Sequence, residues 1–158
     1  GISTLDFNQT AATLNTNGLL FQLYGDHLGA GSIPVALTGN SPQPASTQQI
    51  VPHLQQTSAG SPTYPLDMFA ALSPDRKFLT LSVVNATDSD QRFNLNVSGV
   101  QLSGNATLWT MTGKDLDAAN HVGQPPQVEV KESTLGAAPA TLTAAPISVS
   151  IYRFPVAP

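Results

Sequence analysis

The sequence predicts a mainly β chain: an antiparallel β-sandwich preceded by a single α-helix. Three observations carry this expectation. Ser and Thr together number 30 of the 158 residues, and Pro and Gly together 25, a composition suited to short strands joined by turns. Strand-like runs recur through the second half with turn residues between them, and no helical run separates them as parallel βαβ units would require. Helical periodicity is confined to one stretch near the N-terminus.

That stretch is Asn17-Gly-Leu-Leu-Phe-Gln-Leu-Tyr-Gly-Asp-His-Leu-Gly29. Leu20, Leu23, Tyr24, His27 and Leu28 fall at i, i+3, i+4, i+7 and i+8, one face of a helix over 18–28. Asn17 is the expected N-cap and Gly29 the expected left-handed residue after the last turn. Gly25 lowers the intrinsic propensity by about 1 kcal/mol, so packing must hold the helix. Its Leu20/Leu23/Tyr24/Leu28 face has no helical neighbour in the chain and is expected to bury against a second polypeptide.

Residues 33–38 read as a short strand that Pro34 confines to a sheet edge or a strand start. Residues 39–65 hold five prolines and no periodicity, as expected of a long wrap along another surface. Strands follow over 66–72 and 78–85, joined by the turn Ser73-Pro-Asp-Arg-Lys77. The second should place Leu79, Leu81 and Val83 on one face. Phe93, Leu95 and Val97 alternate with Arg92, Asn94 and Asn96. Further strands are expected over 105–112, briefly at Val128 and Val130, and from Ile147 through Val149 and Ile151 to about Phe154.

With 41% hydrophobic residues and only 10% charged ones, the chain can build a core and is not disordered. Six Lys and Arg against ten Asp and Glu, net −4, exclude the basic footprint of a nucleic-acid binder and argue against docking on anionic membranes. No apolar run approaches the roughly 20 residues needed to span a bilayer. The absence of cysteine removes disulfides, thiolate metal sites and cysteine nucleophiles. A start at Gly1 is expected of a chain whose leader was removed or of a piece of a longer polypeptide.

The search for chemistry finds little. His27, His53 and His121 lack partners at metal-ligand spacing, and Asp26-His27 reads as a polar helix end. No G-x-S-x-G, P-loop or G-x-G-x-x-G string occurs. Glu129 and Glu132 are the only glutamates; as a glycosidase pair they would need to flank one bond, but they read as a solvated strand face. Asp115 and Asp117 alternate without the rest of a calcium loop. Trp109, Tyr24, Tyr64 and Tyr152 are candidates for a sugar-stacking platform, with Trp109 read rather as packed. Four N-x-[ST] sequons, at Asn8, Asn85, Asn96 and Asn105, make those asparagines glycosylation candidates.

Two strings in the second half carry a resemblance. Phe69-Ala-Ala-Leu-Ser-Pro-Asp-Arg-Lys-Phe-Leu-Thr-Leu-Ser-Val-Val-Asn85 and Trp109-Thr-Met-Thr-Gly-Lys-Asp-Leu-Asp-Ala-Ala-Asn120 resemble the C-terminal β-sandwich of α-L-arabinofuranosidases of glycoside hydrolase family 51, as does the closing Ala145-Pro-Ile-Ser-Val-Ser-Ile-Tyr152. Residues 18–29 resemble the last helix of the (β/α)8 barrel that precedes it, a plan shared with family 39 and other clan A enzymes. The resemblance implies residues 1–30 as the end of the barrel, 31–65 as a crossover strand and proline-rich wrap, and 66–158 as the sandwich. It implies that the sandwich also recruits strands from upstream of the barrel.

It further implies that both catalytic glutamates lie upstream, so that no catalytic residue and no metal ligand is in this chain and no cofactor is needed. Residues 1–16 would correspond to the loop after barrel strand 8, placing Asp6, Phe7 and Asn8 near substrate. The expected function is that of the C-terminal, light-chain-like portion of a retaining arabinofuranosidase acting on side chains of plant polysaccharides. Its partner would be an N-terminal catalytic chain, its substrate a polysaccharide or glycoside, and its location secreted or periplasmic. The alternatives are a non-catalytic carbohydrate-binding or adhesion sandwich and a purely structural immunoglobulin-like domain.

Overall fold

The computed structural model describes residues 3–39, 62–137 and 139–158. The proline-rich wrap expected over 39–65 therefore lies, for residues 40–61, outside them. The chain opens with a hairpin that the sequence did not announce, β1 (Leu5–Phe7) and β2 (Ala12–Leu14), with Leu5 opposite Leu14 and Phe7 opposite Ala12. Helix α1 (Thr16–Leu28) follows at once. Its N-cap is Asn15, not Asn17: the Asn15 carboxamide accepts the Gly18 N–H at 3.0 Å and the Asn15 carbonyl accepts the Leu19 N–H. Gly29 closes the helix at φ 73° and ψ 149°, a positive-φ end that suits glycine but is extended in ψ rather than the left-handed αL cap expected of it. Gly18 sits where helix and hairpin meet, and a Cβ there would lie 2.1 Å from the Thr4 carbonyl oxygen, so only glycine permits the contact.

The remaining strands are β3 (Ile33–Val35), β4 (Asp67–Leu72), β5 (Phe78–Asn85), β6 (Gln91–Asn94), β7 (Asn105–Gly113), β8 (Val128–Ala137), β9 (Thr141–Ala144) and β10 (Ser148–Pro155). Six form one antiparallel sheet in the order β3-β4-β5-β10-β7-β8, and β6 pairs with β9 as a separate two-stranded ribbon. Pro34 is on the edge strand, as its missing N–H requires. Strand β8 is longer than the short strand expected around Val128 and Val130, and β9 was not foreseen.

Strand register assigns the two faces of the large sheet. Tyr152 lies opposite both Leu81 and Leu108, and Ile151 opposite Ser82 and Trp109. Leu79, Leu81, Val83, Ala70, Ala106, Tyr152 and Phe154 thus form one core, closed by Leu142 and Ala144 of β9 and by Phe93 of β6. Trp109, Met111, Val128 and Ile151 form the other, closed by Leu23 with Leu19, Leu20 and Tyr24 of α1. The expectation that this helical face buries against a second polypeptide is therefore corrected: it buries against the chain's own sheet. Tyr24 adds a 2.7 Å hydrogen bond to the Ser82 hydroxyl. Central strand β5 is buried on both faces, so its even-numbered residues Thr80 and Ser82 are interior as well.

Candidate functional site

The residues singled out by sequence divide into a hairpin, a strand pair, loop acids and sequons. In the hairpin, β1 carries Asp6 and Phe7, and Asn8 begins the turn. Asp6 is turned toward the loop after β7: its carboxylate accepts the Val122 N–H at 2.8 Å and lies 3.5 Å from His121 Nδ1. Asn8 closes the turn, its carboxamide oxygen accepting the Thr10 and Ala11 N–H groups at 2.9 and 3.0 Å. Phe7 is 72% exposed. Asp6 thus ties the hairpin to the loop after β7, Asn8 holds the hairpin's own turn, and the aromatic ring stands outward.

Glu129 and Glu132 lie three residues apart on β8, so they project from opposite faces of the strand. Two carboxylates so placed cannot flank one glycosidic bond. Glu132 has another partner, the Trp109 indole N–H, which it accepts at 2.7 Å. Trp109 itself is 8% exposed and stacks on His27 with ring centroids 3.8 Å apart and 16° between planes. It is packed, not a sugar platform. Burial first, and then the Arg153 guanidinium, hold the His27 ring below its ordinary pKa, against the pull of Asp26 and Glu132.

Asp115 and Asp117 belong to a turn in which the Asp115 carboxylate accepts the Asp117 N–H at 3.1 Å. Among the described residues no group of three His, Cys, Asp or Glu could hold a metal ion. The sequons separate sharply. Asn8, Asn96 and Asn105 are exposed, but Asn85 is 1% exposed and its amide nitrogen lies within 3.1 Å of the Ser89, Ala144 and Ala145 carbonyls. Asn85 is therefore struck from the glycosylation candidates: in the folded chain it is a structural bracket.

Sequence reasoning missed what the two family-like strings do. Each ends in a buried asparagine. Asn85 holds the 86–90 turn and the end of β9. Asn120 holds the end of the loop after β7, accepting from the Gln127 and Val128 N–H groups and donating to the Val128 carbonyl, all within 2.9 Å. The signal was visible only as a polar residue ending each family-like string, which does not by itself distinguish a ligand from a loop bracket.

Among the described residues, two open surfaces lie beside these candidates. One is the outer side of α1 with the adjoining hairpin, where Phe21 is 68% exposed and Leu5 and Phe7 are exposed beside it in the chain's N-terminal part. The other is a cleft of about 810 Å³ along β6, lined by Tyr64, Met68, Leu81, Arg92, Phe93 and Asn96 among others; among the described residues β6 pairs only with β9.

Comparison with known proteins gives a consistent picture. A family model described as the α-L-arabinofuranosidase C-terminal domain matches residues 3–148. Three solved structures share the fold. The crystal structure of an arabinofuranosidase superposes with a TM-score of 0.76 at 21% identity, over 96% of this chain and 31% of that one. An arabinose-bound GH51 α-L-arabinofuranosidase, MgGH51, gives 0.69 at 17% identity, over 99% and 22%. The GH51 arabinofuranosidase of Xanthomonas axonopodis pv. citri gives 0.68 at 15%, over 96% and 28%. The chain thus spans less than a third of the length of these structures. No curated protein sequence matches it.

Proposed function

This chain belongs to the family of α-L-arabinofuranosidase C-terminal domains, and from that premise we propose that it is the bracing, non-catalytic portion of a retaining glycoside hydrolase that removes arabinofuranosyl side chains from plant polysaccharide. The observation that carries the reading is the family match across residues 3–148. The placement of Glu129 and Glu132 on opposite faces of one strand supports it, because the chemistry then needs carboxylates from elsewhere.

The partner in this reading is the catalytic portion of the same enzyme. The outer side of α1, with Phe21 and the hairpin's Phe7, would dock on it, and the edge of β6 that has no strand partner among the described residues would take up a further strand. Asp6, Phe7 and Asn8 would border the sugar, with Phe7 in contact and the other two fixing its hairpin. A polymeric substrate too large to cross a membrane supports secretion or a periplasmic location, where the exposed sequons would be open to modification. The sugar-binding alternative has less support, since the one tryptophan is packed inside.

The test is an assay on aryl α-L-arabinofuranosides. The 158-residue chain alone should be silent, and the full-length enzyme carrying Glu129→Gln and Glu132→Gln should keep its turnover. Turnover by the chain alone that vanishes in either variant would overturn the reading.

A further inference from the structure

The contact between the last turn of α1 and the sheet is built from charged and aromatic groups rather than aliphatic ones. His27 lies flat on Trp109. Arg153, on the neighbouring strand β10, donates to the His27 carbonyl at 2.6 Å and places its guanidinium 5.0 Å from the Trp109 ring centroid and 5.7 Å from that of Phe78. Glu132, from β8, accepts the indole N–H. Asp26 precedes His27 on the helix. Every part of this cluster comes from α1 or from a strand under it.

A helix C-terminus ordinarily favours a histidine cation, because the last carbonyls carry partial negative charge. Here a guanidinium already serves one of those carbonyls. A second positive charge on His27 would stand beside the first, on a ring partly withdrawn from water. We propose that His27 is an acid-sensitive latch between α1 and the sheet: neutral, its ring holds the last helical turn on Trp109; protonated, it is repelled by Arg153 and that turn lifts.

The charges facing the ring decide the direction. Asp26 and Glu132 favour the cation; burial and Arg153 disfavour it and prevail, so the ring sits below the ordinary histidine value of 6.5. Glu132 is also committed to the indole, which limits what it can offer the imidazole. Because the folded chain takes the proton less readily than the unfolded one, the latch's contribution is complete above about pH 6.5 and is lost as pH falls through that value. Every tenfold preference of the docked helix for the neutral ring lowers the midpoint by about one pH unit.

The test uses the 158-residue chain, whose single tryptophan is the reporter. Trp109 emission is followed from about pH 7.5 to about pH 4.5, the range in which histidine titrates. Hydrogen exchange of the 24–28 amides is measured alongside, as a ratio to the β5 amides in the same sample. The expected result is an emission step with its midpoint below 6.5, accompanied by a rise in the exchange ratio, with both absent in His27→Gln. Arg153→Met should move the midpoint up, and Asp26→Asn should move it down should the arginine variant fold poorly. A step that persists in His27→Gln, a midpoint that neither variant moves in these directions, or an exchange ratio that stays flat while His27 titrates would each overturn the latch.

Discussion

On the face built by Leu79, Leu81, Val83, Tyr152 and Phe154, the six-stranded sheet meets more β-structure, the β6–β9 ribbon. On the opposite face it meets a helix, and the seam runs from aliphatic at Leu19, Leu20 and Leu23 to aromatic and charged at His27, Trp109, Arg153 and Glu132. The ribbon face is bracketed by buried polar side chains: Asn85 on the β9 carbonyls and the Tyr152 hydroxyl donating to the Thr143 carbonyl at 3.0 Å. The helical face has two exposed charged members in its cluster, Asp26 and Glu132, and so its edge stays in contact with solvent. The difference teaches that the first face is closed by aliphatic and bracketing contacts and the second by a mixed aromatic and charged seam.

The largest effect should come from breaking the seam. Trp109→Ala removes a buried ring, the stacking surface of His27 and the donor to Glu132, and should cost about 3–5 kcal/mol by denaturant melting. On the ribbon face, Asn85→Ala leaves the Ala144 and Ala145 carbonyls without their donor and should cost about 2–3 kcal/mol; a loss below about 0.5 kcal/mol would mean that water replaces the bracket.

Tyr152 sharpens the comparison through pH. Burial pushes its phenol up to about 12. The unfolded chain ionises first as pH rises past the ordinary value of 10.0, so stability is complete below that value and is lost as pH climbs from it toward the folded pKa. Tyr152→Phe should flatten this alkaline loss at a cost of about 1 kcal/mol at neutral pH, from the bond to Thr143. The seam should show the opposite dependence, on the acid side, through His27. The smallest effect on the chain itself should follow Phe21→Ser, within about 0.5 kcal/mol of wild type because the ring is already exposed, whereas the full-length enzyme should lose activity through poorer docking of the catalytic portion.

Strand β5 was legible because Leu79/Leu81/Val83 repeat with a period of two, which states directly which side is buried; the same reading placed Phe93, Leu95 and Val97 on the core but ran the strand to 97, whereas β6 ends at Asn94. The same signal failed on β8, where Lys131 to Thr134 are all exposed and an edge strand shows no apolar alternation. It failed on β1, β2 and β9 because three or four residues are too few to display a period. For α1, periodicity identified the buried face correctly but was silent on what covers it, since a helix seam looks the same against a sheet or another helix. The cap fell on Asn15 rather than Asn17 because two asparagines stand two residues apart, and the hairpin's close approach at Gly18 decides between them. At the candidate site, the place of Glu129 and Glu132 on one strand was readable from the alternation around Val128 and Val130. The roles of Asp6, Asn8, Asn85 and Asn120 as backbone brackets were not, because each partner is distant in sequence or is a main-chain group that carries no residue signature.

Hydrogen exchange of α1 in the isolated 158-residue chain tests most directly whether the helix belongs to this domain's core. The amides of residues 20–25 should be protected to the same order as those of β5 and β10, because Leu23 and Tyr24 are fastened to the sheet without any companion chain. Free exchange of those amides while the sheet remains protected would contradict the structure's central arrangement and return α1 to a helix that waits for its partner.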